Sequence, residues 1–294
     1  MTRLFKVIVG ICAYNEEKTI GGLLSSLLNQ SLSNFILNKI IVVASGCTDR
    51  TEDIVREFAK KSKGLIELIS EKERKGKLSA LNIIMRRAKE EEYDYLVLAN
   101  ADIICEKETL QKVLQPLLLD ESVYATCARP VPCTNSSDLI SFIVRLVWFM
   151  HNELAGRRSF LSGELLALRR GLVERFPSFV PWEDIYITAL LSRKKLKYVF
   201  VNDAIVYMKK LPSSLSEVFR QQVRYQTGNL YIKKILAYTK PTLSFSFVVR
   251  IMPEVVRKFG LLRIPHYIVA LLIYLSARLC AHFNLFRNRI PFRW

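Results

Sequence analysis

Apolar runs and charged, helix-periodic segments alternate along the first hundred residues. KVIVGICAY is a β-branched run, and EEKTIGGLLSSLLNQS after it spaces its apolar positions at three and four, as an amphipathic helix does. KIIVVAS predicts the next strand and DRTEDIVREFAKKSK the next helix, and LIELIS, KLSALNIIMRRAKEEE and YLVLAN repeat the alternation. Short strands separated by helices predict an α/β fold, a doubly wound and mainly parallel sheet with helices on both faces. Sheets of that kind bind ligands beyond the carboxyl ends of their strands. Ala13-Tyr14-Asn15-Glu16, Ser45-Gly46-Cys47 and Asn100-Ala101-Asp102 end three of the runs, so all are placed on one edge.

Beyond Asp120 the pattern is less regular. VYATCARPVP reads as an extended segment stopped by prolines, and DLISFIVRLVWFMHNEL as a helix. FLSGELLALRR and LKYVFVNDAIVYM read as strands, separated by a helix after Pro181. From Pro241 to Trp294 the chain is apolar and basic together, with no uncharged run longer than Ile264 to Ala277 near its centre. That run falls short of the ~20 residues that cross a bilayer, so the expectation is an interfacial helix, with a span as the alternative. The expected division is an α/β domain over 1–235 and a membrane-associated region over 236–294.

Charge sharpens the picture of that tail. The chain of 294 residues carries a net +17, and from Ile205 onward 15 Lys and Arg face only Glu217 and Glu254. A basic segment this rich in Phe, Tyr, Leu and Ile suits an anionic membrane surface better than nucleic acid, which is not an expected partner. Six cysteines form no CxxC pair and no zinc-like cluster, which points to reduced thiols in a cytosolic setting. The amino terminus has no long apolar stretch followed by a cleavage site, so no signal peptide is expected. The predicted location is the cytoplasmic face of the cell membrane, peripheral or monotopic.

An apolar strand that ends in Asp102 raises a question, because burying an unpaired carboxylate costs several kcal/mol. Either Asp102 caps the next helix or it holds a cation. The ordered motifs bear on that choice. VIVGICAYNEE, VVASGCTDRT, GKLSALN, LANADI, SGELLALRR, WED and QQVRY together resemble the family 2 glycosyltransferases over about residues 5 to 230. The resemblance implies a GT-A type fold and an inverting enzyme that uses a nucleotide sugar, UDP- or GDP-linked.

Carried residue by residue, the resemblance places Ala13, Tyr14, Asn15 and Glu16 at the nucleotide, with the Tyr14 ring against the base. Ser45 stands, with Ala44, where the family usually has acids, one of which reads uracil. Lys77 would meet the diphosphate. Asn100-Ala101-Asp102 falls where the family carries Asp-x-Asp, which makes Asp102 the ligand of a Mn²⁺ or Mg²⁺ ion and leaves Asn100 neutral. Asp184 matches the general base, which takes the proton of the acceptor hydroxyl, with Glu183 orienting it. Gly163, Glu164 and Trp182 fall on the acceptor side. Gln221, Arg224 and Tyr225 resemble the QxxRW motif of membrane-associated synthases and lipid glycosyltransferases, with Tyr for Trp, which implies a lipid-linked or membrane-held acceptor. Each acid also has a plainer reading: Asp49 and Thr51 can cap a helix, and Glu183 and Asp184 can sit at a helix start for its dipole. Two other classes are a nucleotidyltransferase of similar topology and a non-catalytic binding relative. The first normally has a Gly-rich basic loop where this chain has AYNEEKT.

Overall fold

The computed structural model describes residues 3–134, 136–158, 160–180, 182–238, 245–287 and 289. Pro181, expected before a helix, and Pro241 and Trp294, the ends of the basic tail, lie outside the described residues. The chain forms two units, one of Met1–Val131 with Ser159–Lys210 and one of Pro132–Arg158 with Leu211–Pro291.

The first unit opens with the expected alternation. It runs β1 (Phe5–Ala13), α1 (Ile20–Leu28), β2 (Phe35–Ser45), α2 (Thr51–Lys61), β3 (Ile66–Glu71), α3 (Lys77–Lys89) and β4 (Tyr95–Asn100). There follow β5 (Ile103–Cys105), α4 (Thr109–Leu119) and β6 (Val123–Pro132). After α5 (Leu139–Arg158), which belongs to the second unit, come β7 (Leu165–Arg169), α6 (Glu183–Lys194) and β8 (Lys197–Met208).

One sheet of eight strands results, in the order β3-β2-β1-β4-β7-β6-β8-β5. The first four strands are parallel, as their unbroken apolar runs imply. The remaining pairings depart from the mainly parallel expectation: β7 is antiparallel to both β4 and β6, and β5 to β8. The departure has a consequence for chemistry. An antiparallel β7 begins on the edge where β1 to β4 end, so Ser162-Gly163-Glu164 arrives there too. Register fixes that edge, pairing Cys12 with Asn100, Ala13 with Ala44 and Ser45 with Glu71.

The core lies between the sheet and α3 and α6. Ile8, Ile41, Leu81, Ile84, Leu98, Leu166, Phe176, Ile187 and Leu191 are buried in one cluster. Each such side chain contributes about 2 kcal/mol. Asn82 of α3 fastens the segment before α6 to this core. Its amide donates to the carbonyl of Phe176 at 3.0 Å, and its carbonyl accepts the Phe176 N–H at 2.8 Å.

The second unit is helical. α5 is joined by α7 (Leu215–Leu236), α8 (Phe245–Phe259), a 3₁₀ turn at Leu261–Arg263 and α9 (Ile264–Phe286). Phe142 of α5 meets Phe259, His266 and Tyr267 edge-on, at centroid distances of 5.5, 5.0 and 5.3 Å. Ala277 and Ala281 are buried, which leaves Ile264, Ile268, Leu271, Leu272, Leu275, Leu279, Phe283 and Phe286 exposed along α9. Among the described residues, Leu261–Phe286 is the one helical stretch long and apolar enough to cross a membrane, with a mean hydropathy of 1.6. The uncharged run counted from the sequence ends at Ala277, before Arg278; the helix continues through that arginine for two more turns.

Candidate active site

Four loops meet at the carboxyl edge of the parallel strands. After β1 the chain turns at Asn15, whose φ of +52° is one that asparagine tolerates better than most residues. The Asn15 carbonyl accepts the Thr48 N–H at 2.9 Å, and its amide donates to the Thr48 hydroxyl at 3.1 Å. The Glu16 N–H donates to the Thr51 hydroxyl at 2.7 Å. Asp49 accepts the Thr51 N–H and hydroxyl at 3.0 and 2.6 Å, which makes it a fastener at the start of α2. These bonds hold the loops after β1 and β2 to one another.

After β2, Gly46 has φ +63°, and a Cβ there would stand 2.4 Å from the backbone nitrogen of Arg74. Only glycine lets the loop between β3 and α3 lie this close. That loop uses Ser45, whose buried hydroxyl accepts the Lys75 N–H at 3.2 Å. It also carries the Arg74 guanidinium over the Tyr14 ring, 3.7 Å from the centroid. One face of the ring assigned to the base is therefore already stacked on a cation.

Lys77 is the first residue of α3. Its ammonium donates to the Asn100 side-chain carbonyl at 2.8 Å and pairs with the Glu183 carboxylate. Burial is the largest single influence and works against that ammonium. The charge and hydrogen bond of Glu183, with the charge of Asp184 and other neighbours, together outweigh it and hold Lys77 above its ordinary range. Glu183 and Asp184 form the first turn of α6 and are 3% and 8% exposed, so a solvated helix start does not describe them. A Cβ on Gly163 would lie 3.4 Å from Cβ and Cγ of Asp184 and 3.5 Å from Oε1 of Glu183. The group closing on the Gly163 backbone is thus the Asp184 carboxyl itself.

Glu164, next along, is bonded by the Ser162 hydroxyl, and its backbone carbonyl accepts the Asn100 N–H at 2.9 Å. Its own carboxyl is pushed up to about 7 by burial and, after it, by the charge of Asp184. Across the site, burial raises Asp102, and the neighbouring Glu16 raises it further; Lys77 and Lys210 oppose this. Glu16 itself is held by Lys210 at 2.8 Å and by the Thr19 hydroxyl at 2.9 Å. Cys12, beneath Lys77, is pushed up to about 12 by burial and stays a thiol.

The donor set tests whether a cation fits. Among the described residues no cluster of three or more His, Cys, Asp or Glu forms a metal cage. Mg²⁺ and Mn²⁺ at a diphosphate need only one or two protein carboxylates, because phosphate and water complete the shell. A largely buried Asp102 with Glu16 beside it meets that requirement.

Within this unit the expected residues Ala13, Tyr14, Asn15, Glu16, Ser45, Lys77, Asn100, Ala101, Asp102, Gly163, Glu164, Glu183 and Asp184 share one edge, and Trp182 precedes α6. Gln221, Arg224 and Tyr225 stand on α7 of the second unit, where burial lowers the Arg224 guanidinium. Three residues were missed by the sequence reading: Arg74, Lys210 and Glu71. Glu71 ends β3 beside Ser45; one of its oxygens accepts from Ser79 at 2.8 Å, and the other is buried without a hydrogen-bond partner. Its signal was the one that exposed Asp102, an acid at the carboxyl end of an apolar run.

Known proteins resemble this chain in sequence and in fold. The sequence profile described as Glycosyl transferase family 2 matches residues 8–167. A probable glycosyltransferase of Bacillus subtilis, YdaM, is 28% identical over 79% of this chain and 57% of its own length. The poly-beta-1,6-N-acetyl-D-glucosamine synthase of Staphylococcus aureus is 22% identical over 74% of this chain and 53% of its own. The chain spans about half the length of these curated relatives. Among solved structures, the mannosyltransferase PcManGT of Pyrobaculum calidifontis, in complex with GDP-Man and Mn²⁺, superposes with a TM-score of 0.68 at 17% identity. That superposition covers 96% of this chain and 87% of the other. This likeness is one of fold, the GT-A type. With the profile matching more than half its length, the chain belongs to glycosyl transferase family 2.

Proposed function

We propose that the protein is an inverting glycosyltransferase that moves a sugar from a nucleoside diphosphate to a hydroxyl of a membrane-held acceptor. The observation that carries this reading is the linkage through Lys77. One ammonium bonds Asn100 at the donor edge and Glu183 at the start of α6, beside Asp184.

In the proposed step the acceptor hydroxyl gives its proton to the Asp184 carboxylate as its oxygen bonds the anomeric carbon. The bond from that carbon to the diphosphate breaks, and the nucleoside diphosphate leaves from the opposite face. Lys77 places positive charge near the departing phosphates. A divalent cation held by Asp102, with Glu16 beside it, would offset the rest of that charge. Glu183, fixed by Lys77, orients the turn that carries Asp184. Tyr14, Arg74, Ser45 and Glu71 offer the base a stacking face, a hydroxyl and a carboxylate oxygen.

The catalytic domain is read as extending to residue 235, so that α7 with Gln221, Arg224 and Tyr225 belongs to it. The exposed apolar stripe of α9, in a tail with almost no acids, supports attachment to the cytoplasmic face of a membrane. The test is release of nucleoside diphosphate from a panel of UDP- and GDP-sugars in the presence of membranes. The wild-type protein should release one of them, and Asp184→Asn should lose on the order of 10²–10⁴ in rate. Unchanged release by the variant would remove Asp184 as the base.

A further inference from the structure

A second concave site opens from the same lysine and runs away from the donor edge. It is a groove of about 880 Å³ between α3 and residues 174–180. Lys75, Lys77, Arg86, Lys89 and Arg175 line it, against the single acid Glu174, which reaches only Lys89, at 3.3 Å. Lys77 is committed to Glu183. Lys75, Arg86 and Arg175 have no ion pair among the described residues.

A solvated basic face is the ordinary explanation, and the rest of α3 argues against it. Arg87, the next residue round the helix, is bonded by Glu67, Glu90 and Glu91, and Lys39 nearby shares Glu67 and Glu91. The surface therefore pairs Arg87 and Lys39 with several acids on one side of α3, while on the other Arg86, with Lys75 and Arg175 beside it, has no acid partner among the described residues. Gathering like charges in a concavity raises the local potential, which an anion relieves. The wall is built rather than loose. Asn82, on the floor, takes both backbone groups of Phe176, and Phe176 is fully buried against Tyr186 at 6.0 Å. Ser178 adds a hydroxyl donor. The segment then passes directly into Trp182, Glu183 and Asp184.

We propose that this groove binds the phosphate group of a phosphate-bearing acceptor, with Lys75, Arg86, Lys89 and Arg175 as its cations. Phosphate binding rests on the groove alone; its service to an acceptor rests on the transferase reading above. An acceptor anchored here by its phosphate extends toward Lys77 and presents its hydroxyl to Asp184. The phosphate is either a lipid headgroup or part of a soluble ester, since both offer the same anion to arginine.

The test uses the full chain and inorganic pyrophosphate, titrated calorimetrically without added metal so that metal-linked donor binding is silent. The double variant Arg86→Ala/Arg175→Ala alters exposed side chains, and an unchanged melting temperature verifies its fold. Its pyrophosphate affinity should fall by about tenfold or more, while Asp102→Ala should bind as wild type does. Equal affinity in wild type and double variant, or an equal loss in Asp102→Ala, would overturn the assignment. Flotation with phosphatidylcholine vesicles holding some phosphatidic acid separates the sources. Binding lost in the double variant points to a lipid phosphate, and binding retained there alongside lost pyrophosphate points to a soluble ester. Titration of the same samples with UDP and GDP plus Mn²⁺ keeps the two readings apart. If neither nucleotide binds while the pyrophosphate result holds, the groove stands and the transferase reading falls.

Discussion

Lys77 and Glu183, 106 residues apart in the chain, form one ion pair where α3 and α6 converge on the sheet edge. The Glu183 side chain is only 4% exposed and that of Lys77 19%, so removing either leaves the other's charge stranded. Lys77→Met should therefore cost about 2–4 kcal/mol in urea unfolding. Adding Glu183→Gln should recover part of that loss, because the buried charge goes with its partner. Strict additivity of the two changes would mean that the pair is not coupled in the folded protein.

Glu164 gives the fold a pH dependence whose sign follows from its raised carboxyl. The folded protein keeps the proton up to about pH 7, whereas the unfolded chain releases it near the ordinary 4.5. The stability linked to this group is thus complete below the unfolded value and is lost as pH rises through 7. Glu164→Gln should unfold at the same denaturant concentration as wild type at pH 4. It should become more stable than wild type by about 2–3 kcal/mol above pH 7. A difference that does not grow between those two pH values would contradict the burial of this carboxyl.

Gly46 combines a left-handed backbone with the contact to Arg74. Gly46→Ala should cost about 2–3 kcal/mol through strain and the displaced loop. It should also weaken nucleotide binding, since that loop carries Arg74 onto Tyr14 and Lys75 onto Ser45. Stability lost with nucleotide affinity intact would separate the loop from the donor site.

How much of this was legible in the sequence depended on whether a feature was local. β1 to β4 were legible because parallel strands are buried on both faces and read as apolar runs. Asp102 was legible because a carboxylate at the end of such a run breaks the pattern. β5, three residues between two loops, carries no periodicity at all. The antiparallel turn of β7 depends on how the chain returns from the second unit, and no property of FLSGELLALRR records that direction. Lys77 was readable as a cation near a helix start, but its partner Glu183 was not, because pairing across 106 positions is a product of topology. Lys210 pairs with Glu16 across 194 positions, beyond any local reading. Arg278 cut the uncharged run short of a bilayer's span, yet a charge exposed on one face need not end the apolar helix that carries it.

The donor site is the centre of the account, and calorimetric titration with UDP and GDP, with and without Mn²⁺, tests it most directly. Wild type should bind one of the two in a metal-linked manner. Asp102→Ala should lose that linkage and at least about tenfold in affinity, and Asp184→Asn should bind as wild type does. Failure of both nucleotides to bind with Mn²⁺ present, or equal metal-linked affinity in Asp102→Ala, would contradict a donor site at this edge.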